Sequence, residues 1–336
     1  MVMKVSVTAN SFALTDRDLK QMSQLGVDCI DFGNGSSFPG VKEEGFPDLD
    51  SLLKEKRRIR SFGLDINRVT LPNISAAYMR DGENAEHIIE SAINSVKVFG
   101  EAGMKIVRQR FEGDVFHNLS EPYIGYQRGG AIARGESLLH GKNPDISHEE
   151  LEKWRERYRD VYRHIIPVAQ DYEVKVGMHP SDPPHPKSPF GGMGYHRIID
   201  EFPNQNVGFI YCIGTRAEEG GGALVRDEIS HYGRKDRIFL VHFRNVRGSL
   251  ATAKAFEEAL LDDGDLNMCS LLLELKKVGF NGCLNPDHVT ILEGDQPDSM
   301  EHFSHSNVGW RHSSIGFAYS IGYIKALIAA LHEFTG

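Results

Sequence analysis

Cysteine is scarce in this chain of 336 residues. The four cysteines, Cys29, Cys212, Cys269 and Cys283, form no CxxC pair, which excludes zinc ribbons and thioredoxin-like redox centres. A chain of this length can stand on its hydrophobic core without disulfides, so a reduced, cytoplasmic setting is expected. Long apolar runs are also missing: no stretch of ~18 apolar residues stands out, and no membrane-spanning helix is expected. The first ten residues, MVMKVSVTAN, are broken by Lys4, Ser6 and Thr8 and lack the apolar segment of a secretory signal. Cationic residues are outnumbered, 38 Lys and Arg against 47 Asp and Glu, for a net charge of −9. Nucleic-acid binders concentrate Lys and Arg, so that partner is not expected, whereas a small anionic substrate needs only a few local cations. Neither GxGxxG nor GxxxxGKS/T follows a β-like run, which removes both nucleotide-binding fingerprints.

What the chain does contain is an alternation of element types. β-like runs occur at Lys4–Asn10, Cys29–Gly33, Leu64–Val69, Lys105–Phe111, Val174–His179, Val207–Ile213, Ile238–Asn245 and Gly282–His288. Most begin as continuous apolar stretches, as strands buried on both faces do. Amphipathic segments separate them. Thr15 caps a helix that ends at Gly26, the segment from Glu83 to Ala102 carries an apolar stripe at Ile88, Ala92, Val96 and Phe99, and Ser147 with Glu150 forms a capping box. The final helix, from about Ile315 to Phe334, is apolar on most sides and is expected to pack on the rest of the fold. Eight such units in one chain predict an α/β fold, a (β/α)8 TIM barrel forming a single catalytic domain over residues 1–336. Two stretches exceed ordinary connections: Gly113–Pro144, with Tyr123, Tyr126, Arg128 and Arg134, and Leu292–Arg311, rich in His, Asp and Ser. Long loops of this kind serve as lids or interface arms, and a homo-oligomer is expected.

Active sites of such barrels form at the C-terminal ends of the strands. The fifth run ends at His179, the sixth at Cys212, the seventh carries His242 and the eighth ends at Asp287 and His288. Each alone has an ordinary reading: a hydrogen-bonded rim histidine, a small buried hydrophobe, a turn aspartate. Their coincidence at equivalent positions of consecutive strands points instead to a divalent cation shared by imidazole, thiolate and carboxylate donors. His185, His196, His302, His305 and His312 fall in loops or at a helix start, where a surface role is the default. Arg108 and Arg110 on the fourth run share one face by alternation, and Arg244 lies on the seventh. Arginines facing a barrel interior need an anionic partner. A substrate carboxylate is one such partner; ion pairing with Glu112, Asp31 or Asp65 is the alternative.

At these residues the sequence resembles the mannonate dehydratase family, related in architecture to xylose-isomerase-like barrels. The resemblance rests on His179-Pro180-Ser181-Asp182-Pro183-Pro184, Cys212-Ile213-Gly214, His242-Phe243-Arg244-Asn245 and Pro286-Asp287-His288, in that order. It implies a metal-dependent hydro-lyase that converts a sugar acid, D-mannonate or a related aldonate, to a 2-keto-3-deoxy acid and water. By the same resemblance His179, Cys212, His242 and Asp287 hold a divalent ion, usually Mn2+, with Fe2+, Co2+ or Mg2+ as alternatives, and His288 transfers a proton. Arg108, Arg110, Arg244 and Asn285 are the expected substrate contacts. His312, or Tyr123 or Tyr126 from the long loop, is the candidate for a second proton-transfer group. Asn285 stands where the family has Arg, which predicts poor use of D-mannonate and preference for another sugar acid. An isomerase or epimerase on the same barrel, and a relative that only binds, are the other readings.

Overall fold

The computed structural model describes residues 3–114, 120–138, 147–295, 310 and 313–335. Among them twelve strands form: β1 (Lys4–Ala9), β2 (Cys29–Phe32), β3 (Asp65–Thr70), β4 (Ile106–Arg108), β5 (Glu121–Tyr126), β6 (Ile132–Ser137), β7 (Lys175–Met178), β8 (Val207–Cys212), β9 (Ile238–His242), β10 (Asn245–Ser249), β11 (Ala255–Ala259) and β12 (Cys283–Asn285). Eight of these close into a parallel barrel in the order β1-β12-β9-β8-β7-β4-β3-β2, the (β/α)8 arrangement expected from the alternation. Residues of β8 and β9 are buried along their whole length, as continuous apolar runs require when helices cover the outer face.

A polar layer lies inside the barrel near the β1–β12 seam. The Asp31 carboxylate on β2 is fully buried and accepts hydrogen bonds from Ser6 Oγ (2.6 Å), Asn67 Nδ2 (2.7 Å) and Asn285 Nδ2 (2.5 Å). Asn285 Nδ2 also reaches Thr8 Oγ1 at 3.1 Å. Four strands are therefore pinned to one carboxylate. On the opposite side, Phe111 after β4 and Phe190 after β7 pack edge-on against Trp154 and Tyr158 of the helix His148–Asp171, which fixes two loops that border the strand ends.

Three expectations change. The fourth run is a strand only at Ile106–Arg108, so alternation does not extend to Arg110, which is exposed while Arg108 is partly buried. The stretch Gly113–Pro144 is not irregular throughout: β5 and β6 form an antiparallel hairpin around the turn Arg128–Gly130 and join β10 and β11 in a second sheet, ordered β10-β11-β6-β5. The helix Ser314–Thr335 does include a segment long and apolar enough to cross a membrane. Here its inner side, with Phe317, Ile321 and Ile324 buried, packs against β1 and the helix Met268–Lys277, and Lys325 donates to the Gly26 carbonyl at 3.0 Å.

Replacing Asp31 by Ala strands three donors, the buried Ser6 and Asn285 and the part-buried Asn67. The expected cost is about 2–4 kcal/mol of folding stability, read as a lower denaturation midpoint in urea; an unchanged midpoint contradicts the role given to this carboxylate.

Candidate functional site

The C-terminal ends of β7, β8, β9 and β12 converge. His179 follows β7 directly, Cys212 and His242 end β8 and β9, and Asp287 lies two residues past β12. One ligand atom from each of the four, all buried, lies within 4.8 Å of the others. His179 Nδ1 sits 2.7 Å from the Pro180 carbonyl. Only a protonated Nδ1 can bond there, which leaves the Nε2 lone pair facing inward, 3.1 Å from His242 Nδ1. His242 Nδ1 is in turn 3.0 Å from Asp287 Oδ2. Cys212 caps the helix Ile213–Gly233, and its Sγ accepts from Thr215 N at 3.4 Å and Thr215 Oγ1 at 3.1 Å.

The electrostatics suit a cation. Burial holds both imidazoles below their ordinary pKa, and so neutral, and at His179 the Arg108 charge adds to it. Burial opposes ionisation of Asp287, but His242, His288 and Arg244 outweigh it and hold the carboxyl well below its usual range. The protein groups alone push the Cys212 thiol up to about 12, through burial first, against the pull of Arg244. A divalent cation at these donors reverses that, because a coordinated thiol is deprotonated. A neutral imidazole with its Nε2 lone pair inward, a second imidazole whose Nδ1 faces the same point, a thiol and a carboxylate form a donor set that fits a transition-metal dication.

Asp287 has a positive φ of 55°, and its N–H donates to Asn285 Oδ1 at 2.7 Å. This left-handed turn breaks strand alternation, so Asp287 and His288 both face the site. His288 Nε2 is 3.5 Å from Asp287 Oδ2, and His288 Nδ1 is 2.6 Å from Glu258 Oε1 on β11. Burial lowers the His288 pKa, but the Asp287 and Glu258 carboxylates overcome it and the net direction is upward.

Behind these residues lies a buried charge network that sequence reasoning missed. Arg134 on β6 reaches Glu258 Oε1 and Asp182 Oδ1, each at 2.9 Å, and Glu136 Oε1 at 3.3 Å. Arg244 reaches Asp182 Oδ2 and Thr215 Oγ1, each at 2.9 Å, and pairs closely with Glu218. Burial raises the Glu218 carboxyl to about 7 despite Arg244. Arg134 and Arg244 are 2% and 1% exposed. The available signal was the alternation of Ile132–Ser137 and Ala255–Ala259, which places Arg134 with Glu136, and Phe256 with Glu258, on single strand faces.

Two expected substrate contacts are therefore corrected. Arg244 is committed to internal carboxylates, so both of its Nη atoms are already engaged. Asn285 is fully buried and bonded to Thr8, Asp31 and the Asp287 N–H, so it shapes the turn that carries Asp287 rather than facing a substrate. Arg108 and Arg110 are not paired with Glu112, Asp31 or Asp65: Glu112 bonds Asn73, and Asp65 bonds Arg60. Tyr123 donates to the Phe256 carbonyl at 3.2 Å, and Tyr126 is exposed, so neither hydroxyl meets His288. His302, His305 and His312 lie outside the described residues.

Residues 137–335 match the family model described as D-mannonate dehydratase (UxuA). The chain belongs to the D-mannonate dehydratase family. This is a family of hydro-lyases, in agreement with the reaction type that the motifs implied. A mannonate dehydratase of Streptococcus pneumoniae is 25% identical over 282 residues, covering 74% of this chain and 76% of that protein. The crystal structure of mannonate dehydratase from Streptococcus suis superposes with a TM-score of 0.81 at 20% identity, over 100% of this chain and 97% of the other. The IolI protein, whose crystal structure has a bound zinc atom, shares the barrel with a TM-score of 0.59 at 14% identity, over 98% of each chain.

The two kinds of arginine separate by experiment. Arg244→Met leaves Glu218 without its paired cation and Asp182 with Arg134 alone, and is expected to destabilise the fold by about 3–5 kcal/mol. Arg110→Ala, at an exposed position, stays within about 0.5 kcal/mol of wild type. Equal stability of the two variants in chemical denaturation contradicts the internal role of Arg244.

Proposed function

We infer that this chain is a metal-dependent dehydratase of a sugar acid, converting an aldonate to a 2-keto-3-deoxy acid and water. The observation that carries the reading is the convergence of four metal donors with His288, an imidazole anchored at Nδ1 by Glu258. His179, Cys212, His242 and Asp287 would hold a divalent cation, Mn2+ first among the candidates. When bound, that cation supplies a Lewis acid for substrate oxygens.

The rest of the chemistry falls to the chain itself. Dehydration breaks the C2–H bond beside the carboxylate and the C3–O bond, and the resulting enol becomes the 2-keto acid. With Nδ1 engaged by Glu258, His288 exchanges protons through Nε2, either as base at C2 or as acid at the departing C3 hydroxyl. Arg108 holds the substrate carboxylate in bidentate fashion. The second proton-transfer group is assigned to His312, beyond the described residues. The donor set also argues against an isomerase: those sites lean on several carboxylates, and this one offers one carboxylate with Cys212 and two histidines. A reduced, cytoplasmic setting accords with a site that depends on a free thiol, and a homo-oligomer is the assembly put forward.

A panel of aldonic acids that includes D-mannonate, incubated with Mn2+ and assayed for 2-keto-3-deoxy acid, tests the reading; no keto acid from any member overturns it. His179→Ala, Cys212→Ala, His242→Ala and Asp287→Ala are each expected to lose bound metal after dialysis, measured by elemental analysis, and full retention in the His242 and Cys212 variants rejects the ligand set. His288→Asn is expected to keep metal and fold while turnover falls by ~10²–10⁴-fold. An unchanged rate, or loss of the metal, contradicts the division of roles.

A further inference from the structure

One hydroxyl lies between the metal donors and the buried charge network. Thr215 sits in the first turn of the helix Ile213–Gly233, just after Cys212, and is fully buried. Its Oγ1 is 3.1 Å from Cys212 Sγ, 3.0 Å from Asp182 Oδ2 and 2.9 Å from Arg244 Nη2. Its backbone N–H reaches the same sulfur at 3.4 Å. The local sequence makes room for this arrangement. Gly214 has no side chain, and a Cβ there would overlap the Arg244 guanidinium. Arg244 therefore lies across the first turn of the helix and reaches Thr215.

A threonine hydroxyl has one hydrogen to give and lone pairs with which to accept. A guanidinium has no acceptor atom, so Arg244 donates in its contact and Thr215 Oγ1 accepts. The single hydroxyl hydrogen then goes to Cys212 or to Asp182. Asp182 is already served: Arg134 donates to Oδ1 and Arg244 to Oδ2, each at 2.9 Å. That leaves the hydrogen to the sulfur. A neutral thiol is a weak acceptor and gains little from two donors on one residue. A sulfur that carries negative charge as a metal ligand takes much stronger bonds. By donating to the oxygen, Arg244 also polarises the O–H and strengthens it as a donor.

We propose that Thr215 is a positioning residue of the metal centre: its hydroxyl holds the Cys212 sulfur in place among the four donors, and Arg244 and Asp182 hold the hydroxyl. The buried charge network then reaches the site by two routes, from Arg134 through Glu258 to His288 and from Arg244 through Thr215 to Cys212. The inference rests on Cys212 being a metal ligand and is independent of which acid is the substrate.

Co2+ is the probe, because a cobalt–thiolate centre absorbs through sulfur-to-metal charge transfer. Thr215→Val removes the hydroxyl at nearly constant shape, and Thr215→Ser keeps it. The wild-type protein titrated with Co2+ is expected to show the charge-transfer band. In Thr215→Val the band is expected to move to longer wavelength, since a sulfur relieved of a hydrogen bond gives up its electrons more readily. Co2+ affinity is expected to fall about ten- to a hundredfold, the usual effect of losing a partner that orients a metal ligand. Thr215→Ser is expected to restore both. If the valine methyl against Arg244 prevents folding, Thr215→Ala carries the same expectation. A band and an affinity unchanged on loss of the hydroxyl overturn the proposal and leave the ligand set standing. So does an equal change in the serine variant, which marks a packing role. Absence of the band from the wild-type protein overturns the ligand set, and this inference with it.

Discussion

The hydrogen bonds between β1 and β12 close the barrel, and the position of every functional group depends on that seam. Lys4 N–H bonds the Gly282 carbonyl at 3.1 Å, and Lys4 and Val5 register with Cys283 and Leu284. Closure converts four strand ends that are far apart in sequence into neighbours around one mouth. It also brings Asn285 from the last strand against Thr8 and Asp31 from the first two, and Asn285 sets the turn at Asp287. Asp287 and His288 are thus aimed by side-chain bonds that span most of the chain.

The second sheet solves a different problem. A buried carboxylate beside His288 would be costly alone, because removing an ion from water is repaid only by close partners. Arg134 on β6 and Arg244 after β9 supply them, each holding more than one acid. Asp182, from the motif after β7, is shared between both arginines and ties that loop to the sheet. Glu258 is held below its ordinary pKa because His288, Arg134 and Arg244 outweigh burial, so it stays an acceptor for His288 Nδ1. The hairpin that looks like an insertion is therefore part of the wall that orients the imidazole.

Family membership and charge distribution carry separate information. The four residues that could hold a metal, and His288 beside them, sit at strand ends of the barrel. Arg68 and Arg108 sit on the opposite strands β3 and β4, and Arg110, past the end of β4, is exposed. Asn285, the departure first thought to bear on substrate choice, acts within the barrel wall. Its side chain points into a layer of side chains, bonded to Thr8, Asp31 and the Asp287 N–H.

The sequence by itself determined the barrel and the four residues that could hold a metal. Both are local properties: apolar runs of four to six residues read as buried parallel strands whatever surrounds them, and His179, Cys212, His242 and Asp287 each stand where such a run stops. Which charges meet was decided only by the tertiary structure. Arg244 and Arg108 look alike in sequence, each on a strand beside a site residue. One is surrounded by Glu218, Asp182 and Glu258, delivered by a helix, a loop and a second sheet, and the other makes no ion pair among the described residues and feels Asp114 and Asp287 only at longer range. Arg110 turned outward because β4 ends two residues earlier than its apolar pattern suggested. A guanidinium's partner is set by elements that lie tens or hundreds of residues away, and no local pattern encodes that distance.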